Sequence, residues 1–254
     1  MGQRFRVTFA PAIQRQEREE IQRAISSGLP HAERILPEQS RVKAFYRLDL
    51  PTRVLFVKSR SFSGLLRRLG RTFRRTKEEE DEFWNYASIR RAGISCPEPV
   101  SVARVYNGPL ISQSLLLTEY LGGAIPLRTL LMRDPSCPEW LAERVAAFLQ
   151  SLLDKGLIHD DLQWDNILVR SQYQGCNLYL VDPLHIRWIR REESSAQKAF
   201  RQSLMWFFSF LISGGVPGPV LEVFLERLGP MAGVKDRRQK ERFLERAQGL
   251  RTGR

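Results

Sequence analysis

Leu157-Ile158-His159-Asp160-Asp161-Leu162-Gln163-Trp164-Asp165-Asn166-Ile167-Leu168-Val169 is the stretch whose reading decides the fold. It sets a histidine, a carboxylate two residues later and a carboxamide five residues after that on a short loop running into an apolar segment. Taken singly, Asp161, Asp165 and Asn166 are ordinary turn formers. As an ordered set they suit phosphoryl transfer, which needs one carboxylate to orient an acceptor hydroxyl and take its proton, and oxygen ligands across a short loop to hold a metal. Asp161 fits the first role and Asn166 the second.

The next residues extend the pattern. Ile167–Val169 and Leu178–Val181 read as two strands joined by a turn around Gln174-Gly175. A hairpin brings its two outer ends together, so Asn166 before the first strand and Asp182 after the second emerge at the same end, where they can share a magnesium ion. The alternative for Asp182-Pro183 is a plain strand terminator. The order His, Asp, Asn, then Asp is the catalytic-loop and metal-site order of kinase-like enzymes.

Upstream, Arg53-Val54-Leu55-Phe56-Val57-Lys58 is β-branched, aromatic and bounded by Pro51 and Ser59, hence a strand. Lys58 shares a face with Val54 and Phe56 and is expected to point inward, where a lysine can hold the α- and β-phosphates of ATP. Such a lysine needs a carboxylate to fix it, and Glu82, on one helical stripe with Tyr86 and Ile89, can supply it. Set against this, Lys58 reads as a solvated strand end and Glu82 as one more dipole-facing acid in the run Glu78 to Glu82. Glu119-Tyr120-Leu121, after the apolar strand Leu115–Leu117, can offer main-chain hydrogen bonds to adenine, with Glu119 and Leu121 as the contacts, although such segments are often plain connectors.

Short strands and one helix fill the chain up to residue 121, and helical periodicity takes over beyond it. Residues 1–121 and 122–254 therefore read as two domains hinged at Gly122-Gly123. Thr76 with Glu79 makes a capping box for a helix over 77–92 that stops at Gly93. Ser136 with Glu139, and Pro138 in the first turn, start a second helix whose Leu141, Val145, Phe148, Leu149 and Leu152 recur at helical spacing until Gly156. Leu204 to Val216 suits a buried helix, being too short for a bilayer. The tail after Lys235 is basic and is expected to be loosely packed or frayed.

The chain has 254 residues, 43% of them hydrophobic, with 40 Lys and Arg against 28 Asp and Glu, a formal charge of +12. That balance favours anionic partners. Cys96, Cys137 and Cys176 form no C-x-x-C pair, which suggests neither a disulfide framework nor a zinc site and fits a reducing compartment. The start, Met1-Gly2-Gln3-Arg4-Phe5-Arg6, predicts no secretion signal and no myristoyl anchor. A basic insertion occupies 60–77. From Arg60 to Arg75 it contains no acid, and Phe62, Leu65, Leu66, Leu69 and Phe73 share one helical stripe among arginines. Two readings stay open: a basic helix lying on an anionic membrane surface, or a segment packed on the first domain with a solvated basic face.

These pieces together resemble the lipopolysaccharide kinase family, which phosphorylates Kdo or heptose in the inner core of bacterial lipopolysaccharide. The similarity runs in order through Lys58, Glu82-Phe83-Trp84, Ala92-Gly93-Ile94, Pro97-Glu98-Pro99, Leu117-Thr118-Glu119-Tyr120, the loop 159–166 and Val181-Asp182. The resemblance implies an α+β, two-lobed protein-kinase-like fold with a small β-rich N-lobe and a larger helical C-lobe. It implies ATP and magnesium as cofactors, a lipopolysaccharide core acceptor, a cytoplasmic location peripheral at the inner face of the bacterial inner membrane, and no nucleic acid partner. Two departures from kinase patterns stand out. No G-x-G-x-x-G precedes Lys58, the corresponding stretch being Glu38-Gln39-Ser40-Arg41-Val42-Lys43. Asp182 is followed by Pro183-Leu184 and no Ala-Pro-Glu follows, so switching by an activation loop is not expected. A kinase of the same fold acting on a protein or small molecule, and a non-catalytic basic membrane-binding adaptor, are the competing readings; Lys58, Asp161, Asn166 and Asp182 present together speak against the adaptor.

Overall fold

The structure is a computed structural model that describes residues 4–29, 32–35, 43–73, 78–133, 139–172, 175–189 and 194–252. Thr76, Ser136, Cys137, Pro138, Gln174 and residues 38–42, on which several expectations rest, fall outside that set. The chain divides into two compact units, 1–91 with 97–122, and 92–96 with 123–254. The short segment 92–96 therefore groups with the second unit, which a single division at residue 121 does not anticipate. Two hydrogen bonds fix its place there: Leu180 N–H donates to Ser95 O at 2.9 Å, and the Lys155 side-chain ammonium donates to Ala92 O.

The first unit holds β1 (Arg4–Phe9), α1 (Arg15–Ser26), β2 (Ala32–Arg34), β3 (Lys43–Asp49), β4 (Val54–Ser61), α2 (Leu65–Phe73), α3 (Glu78–Arg91), β5 (Pro99–Asn107) and β6 (Leu110–Glu119). Its strands form one six-stranded sheet in the order β1-β5-β6-β4-β3-β2, antiparallel at every rung. Leu115, Leu116 and Leu117 are all buried although they alternate faces. A strand covered on both sides reads as an unbroken apolar run, not as an alternating one.

On β4, Leu55 and Val57 point to one face and Phe56 and Lys58 to the other, where Phe56 stacks on Phe45 with centroids 5.8 Å apart. Helix α3 lies over the Lys58 face, held by a row of ion pairs. Glu82 Oε2 is 2.8 Å from Lys58 Nζ, Glu79 Oε1 is 3.1 Å from Arg60 Nε, Glu78 also meets Arg60, and Glu80 Oε1 is 2.8 Å from Arg104 Nη2. The acidic first turn of α3 is thus spent on named partners across the sheet and is more than a complement to the helix dipole.

The second unit holds β7 (Ala124–Pro126), α4 (Leu127–Arg133), α5 (Glu139–Asp154), β8 (Leu157–His159), β9 (Ile167–Gln172), β10 (Gly175–Leu180), β11 (Ile186–Trp188), α6 (Ser194–Ser213), α7 (Gly218–Leu228) and α8 (Arg237–Thr252). Leu141, Val145, Leu149 and Leu152 line the buried side of α5, which ends at Gly156, φ 71°. A Cβ there would stand 2.2 Å from Ile189 O, so only glycine lets the chain pass that carbonyl into β8. Two small sheets, β10-β9-β7 and β11-β8, carry the loop between them. Helix α6 supplies the core with Phe200, Leu204, Phe207, Phe208 and Leu211.

The basic tail is not frayed. Phe243 and Ala247, one turn apart on α8, are fully buried, and Phe243 meets Phe208 edge-on at 5.3 Å. Two apolar positions at helical spacing suffice to dock a helix whose other faces are arginine-rich.

Candidate active site

β8 delivers the loop and α6 anchors it. His159 is buried, its carbonyl accepts Ser203 Oγ–H from α6 at 2.6 Å, and Asp160 N–H donates to His185 O at 2.8 Å. His159 Nδ1 accepts the Asp161 N–H at 3.2 Å. A ring nitrogen that accepts carries no proton, so the neutral ring is protonated at Nε2. Burial pushes the His159 pKa below its ordinary 6.5, against the upward pull of the Asp182 and Asp161 carboxylates and of the Asp182 main chain. The neutral imidazole therefore acts as a fixed strut that sets the main-chain turn at Asp161.

The two consecutive aspartates are treated differently. Asp160 is paired through both oxygens with Arg187 of β11, at 2.6 Å to Nε and 2.6 Å to Nη2. Asp161 Oδ2 accepts one hydrogen bond from Gln163 Nε2 at 2.9 Å, and the other oxygen of its half-buried carboxylate accepts none among the described residues. Asn166 Nδ2 donates to Asp161 O at 3.0 Å, which closes the loop on itself and leaves the Asn166 side-chain oxygen as the acceptor of that amide.

The hairpin geometry brings Asn166 and Asp182 to one end. In the β9–β10 ladder Ile167 faces Leu180, and Val181 N–H to Asn166 O at 2.9 Å adds a rung. Asp182 follows directly, exposed, in a left-handed conformation, φ 53° and ψ 53°, that costs a non-glycine residue on the order of 1 kcal/mol. One carboxylate and one amide oxygen are a donor set that fits magnesium, which is commonly held by one or two protein oxygens with phosphates and waters completing its octahedron. The described residues contain no cluster of three or more His, Cys, Asp or Glu side chains suited to a metal ion.

In the other unit Lys58 and Glu82 form a buried pair, their side chains 11% and 4% exposed. A lysine so held presents its ammonium at a fixed point and can meet phosphate oxygens there. In the 119–121 segment, the Glu119 N–H donates to Glu98 O at 2.8 Å and the Tyr120 N–H to Val54 O at 3.2 Å. Glu98 N–H returns to Glu119 Oε2 at 3.2 Å, to the side chain. The Leu121 N–H donates to no main-chain carbonyl among the described residues, so it is the amide of this segment that a purine edge can use.

Sequence reasoning passed over Gln163, Arg187, Ser203 and Arg128. Gln163 had a signal, standing two residues from Asp161 on the same loop. Arg187 and Ser203 had none, since pairing across β8 and β11 and the packing of α6 are tertiary. Arg128 lies over the Trp164 ring, 5.5 Å from its centroid, and 3.6 Å from Asp165.

Residues 63–202, more than half of the chain, match the sequence model of the lipopolysaccharide kinase (Kdo/WaaP) family. A 3-deoxy-D-manno-octulosonic acid kinase of Haemophilus influenzae is 30% identical over 103 residues, 40% of this chain and 42% of that protein. The EKC/KEOPS complex subunit Tp53rkb of Mus musculus is 32% identical over 130 residues, 50% of each chain. These matches thus span half or less of the curated relatives. A solved structure of WaaP in complex with acyl carrier protein superposes with a TM-score of 0.59 at 16% identity, over 97% of this chain and 99% of that one. The α+β protein-kinase-like fold class is shared with WaaP, and by the family match the chain belongs to the lipopolysaccharide kinase (Kdo/WaaP) family.

Proposed function

We propose that this protein is an ATP-dependent kinase that transfers the γ-phosphoryl group to a sugar hydroxyl, on heptose or Kdo, of the lipopolysaccharide inner core. The observation that carries the reading is the loop 159–166, in which Asp161 is clamped by Gln163 and set apart from an Asp160 neutralised by Arg187, inside the stretch that matches the family. Asp161 orients the acceptor hydroxyl and takes its proton. Asn166 and Asp182 hold magnesium, which when bound screens charge on the transferring phosphoryl group. Lys58, fixed by Glu82, holds the α- and β-phosphates, and Glu119 and Leu121 meet the adenine.

A peripheral position at the cytoplasmic face of the inner membrane fits the exposed Leu65 and Leu66 of α2 beside Arg67. Among the described residues no helix is long and apolar enough to cross a membrane. The test offers ATP labelled in its γ-phosphate, with magnesium, to a panel of truncated lipopolysaccharides and maps the labelled sugar. Label on heptose or Kdo supports the reading. Label appearing only on a protein or small molecule would replace it with another kinase of the same fold, and no magnesium-dependent turnover at all would favour the adaptor.

A further inference from the structure

A cation sits on the loop that carries Asp161, and phosphoryl transfer as described makes no use of it. Arg128, the second residue of α4, lays its guanidinium 5.5 Å from the centroid of Trp164. Trp164 opens the tight 3-10 turn Trp164–Asn166, so the ring under the cation belongs to the same turn as the metal-site amide and follows Asp161 by three residues. The indole cannot yield. It is buried and lies against Gly214, where a Cβ would stand 2.1 Å from Cζ2. An arginine resting on an immobile aromatic face loses little freedom when a ligand arrives.

The guanidinium is nevertheless only loosely paired. Asp165 Oδ2 is 3.6 Å from Nη1, with side chains 55% and 41% exposed, whereas a charge-assisted hydrogen bond is shorter than about 3 Å. So long and solvated a pair contributes little. On the same loop Arg187 and Asp160 show the saturated alternative, two contacts at 2.6 Å. The Arg128 fork thus has donors to spare in the geometry that fits a carboxylate or a phosphate. One turn along α4, Met132 adds an exposed apolar side chain beside it.

We propose that Arg128 binds an anionic substituent, carboxylate or phosphate, on the sugar acceptor whose hydroxyl Asp161 addresses, and so selects anionic over neutral sugars. The proposal rests on Asp161 facing the acceptor, as argued above. It is tested by equilibrium binding of three acceptors to the full chain: a truncated lipopolysaccharide ending in Kdo, the same molecule with its carboxyl reduced to an alcohol, and the same molecule stripped of phosphate. The parent protein should bind the intact acceptor about tenfold to a hundredfold more tightly than the form lacking the recognised group. Whichever treatment weakens binding identifies the anion. Arg128→Gln should bind intact and treated acceptors alike, and Arg128→Lys, which keeps charge without the planar fork, should fall between. Retained binding of the treated acceptor by Arg128→Gln shows that the variant is folded. Equal affinity of the parent for all three acceptors, or full discrimination by Arg128→Gln, overturns the proposal. Because binding is read without turnover, a protein that discriminates but phosphorylates none of the three keeps this inference and loses the kinase reading.

Discussion

Asp160 and Asp161 are chemically identical neighbours whose surroundings assign them different work. In kinase loops of the H-R-D type the middle position is a cation; here it is an acid, already saturated by Arg187, so it cannot receive a phosphorylated activation segment. On the proposed reading, in which the Asp161 carboxylate serves the acceptor, Asp161→Asn should lower turnover by about a hundredfold or more while magnesium-ATP binding stays near that of the parent. Asp160→Asn should change turnover only a few-fold. Steady-state turnover with a nucleotide titration on both variants checks the pair, and unchanged turnover in Asp161→Asn removes that residue from the chemistry. The buried His159 adds a pH signature. Its folded pKa lies below the ordinary 6.5, so between the two values the unfolded chain binds the extra proton, and stability rises with pH. Its contribution is complete above about 6.5 and is lost as pH falls below that. Thermal midpoints measured downward from pH 7 should decline more steeply for the parent than for His159→Gln. Parallel declines would mean that the ring does not titrate differently in the folded state.

Helix α3 shows how an element is held by one turn of its sequence. Four of its first five residues, Glu78, Glu79, Glu80 and Glu82, meet Arg60, Arg104 and Lys58. Glu82→Gln removes the carboxylate that stands 2.8 Å from the buried Lys58 ammonium, and breaking a buried pair on one side costs about 3–5 kcal/mol. Denaturant unfolding should show that loss, and ATP affinity should fall with it; a variant as stable as the parent that binds ATP equally well makes the pair incidental. The hairpin after the loop 159–166 was legible in the sequence because two short apolar runs flank a turn, and so was the pairing of Lys58 with Glu82, which sits one turn ahead of Tyr86 on an obvious helix. Helix α8 was not, since arginines outnumber the apolar residues around Phe243 and Ala247 and composition hides a two-position seam. Nor was the Arg128 site legible, because its stack on Trp164 and the Gly214 contact beneath join three segments distant in sequence.

At the scale of the whole molecule the charge of +12 is unevenly available. Arg53, Arg60 and Arg104 are committed to Glu17, Glu98, Glu78, Glu79 and Glu80 inside the first unit, and Arg68 donates to Asn107 O at 2.8 Å. Helix α2 is thus packed on the β5–β6 hairpin, as one of its two sequence readings had it, but Arg68 on its basic side takes part in that contact, where the reading had the basic face solvated. The other reading keeps its basis at the start of the helix, where Leu65 and Leu66 are 64% and 84% exposed beside an exposed Arg67. Two leucines and a cation presented together suit shallow insertion among anionic headgroups. One arginine near such a surface contributes about 1 kcal/mol, an attraction that fades beyond the Debye length, whereas leucine burial does not depend on salt in this way. Arg67→Gln should therefore weaken co-sedimentation with vesicles rich in anionic lipid about fivefold at low salt and scarcely at high salt. Leu65→Ser with Leu66→Ser should weaken it at both. Neither change touches a buried contact, so the thermal midpoint should stay within a degree or two of the parent's. If all the variants sediment like the parent at low salt, α2 is packing surface alone and the proposed peripheral membrane position loses its support.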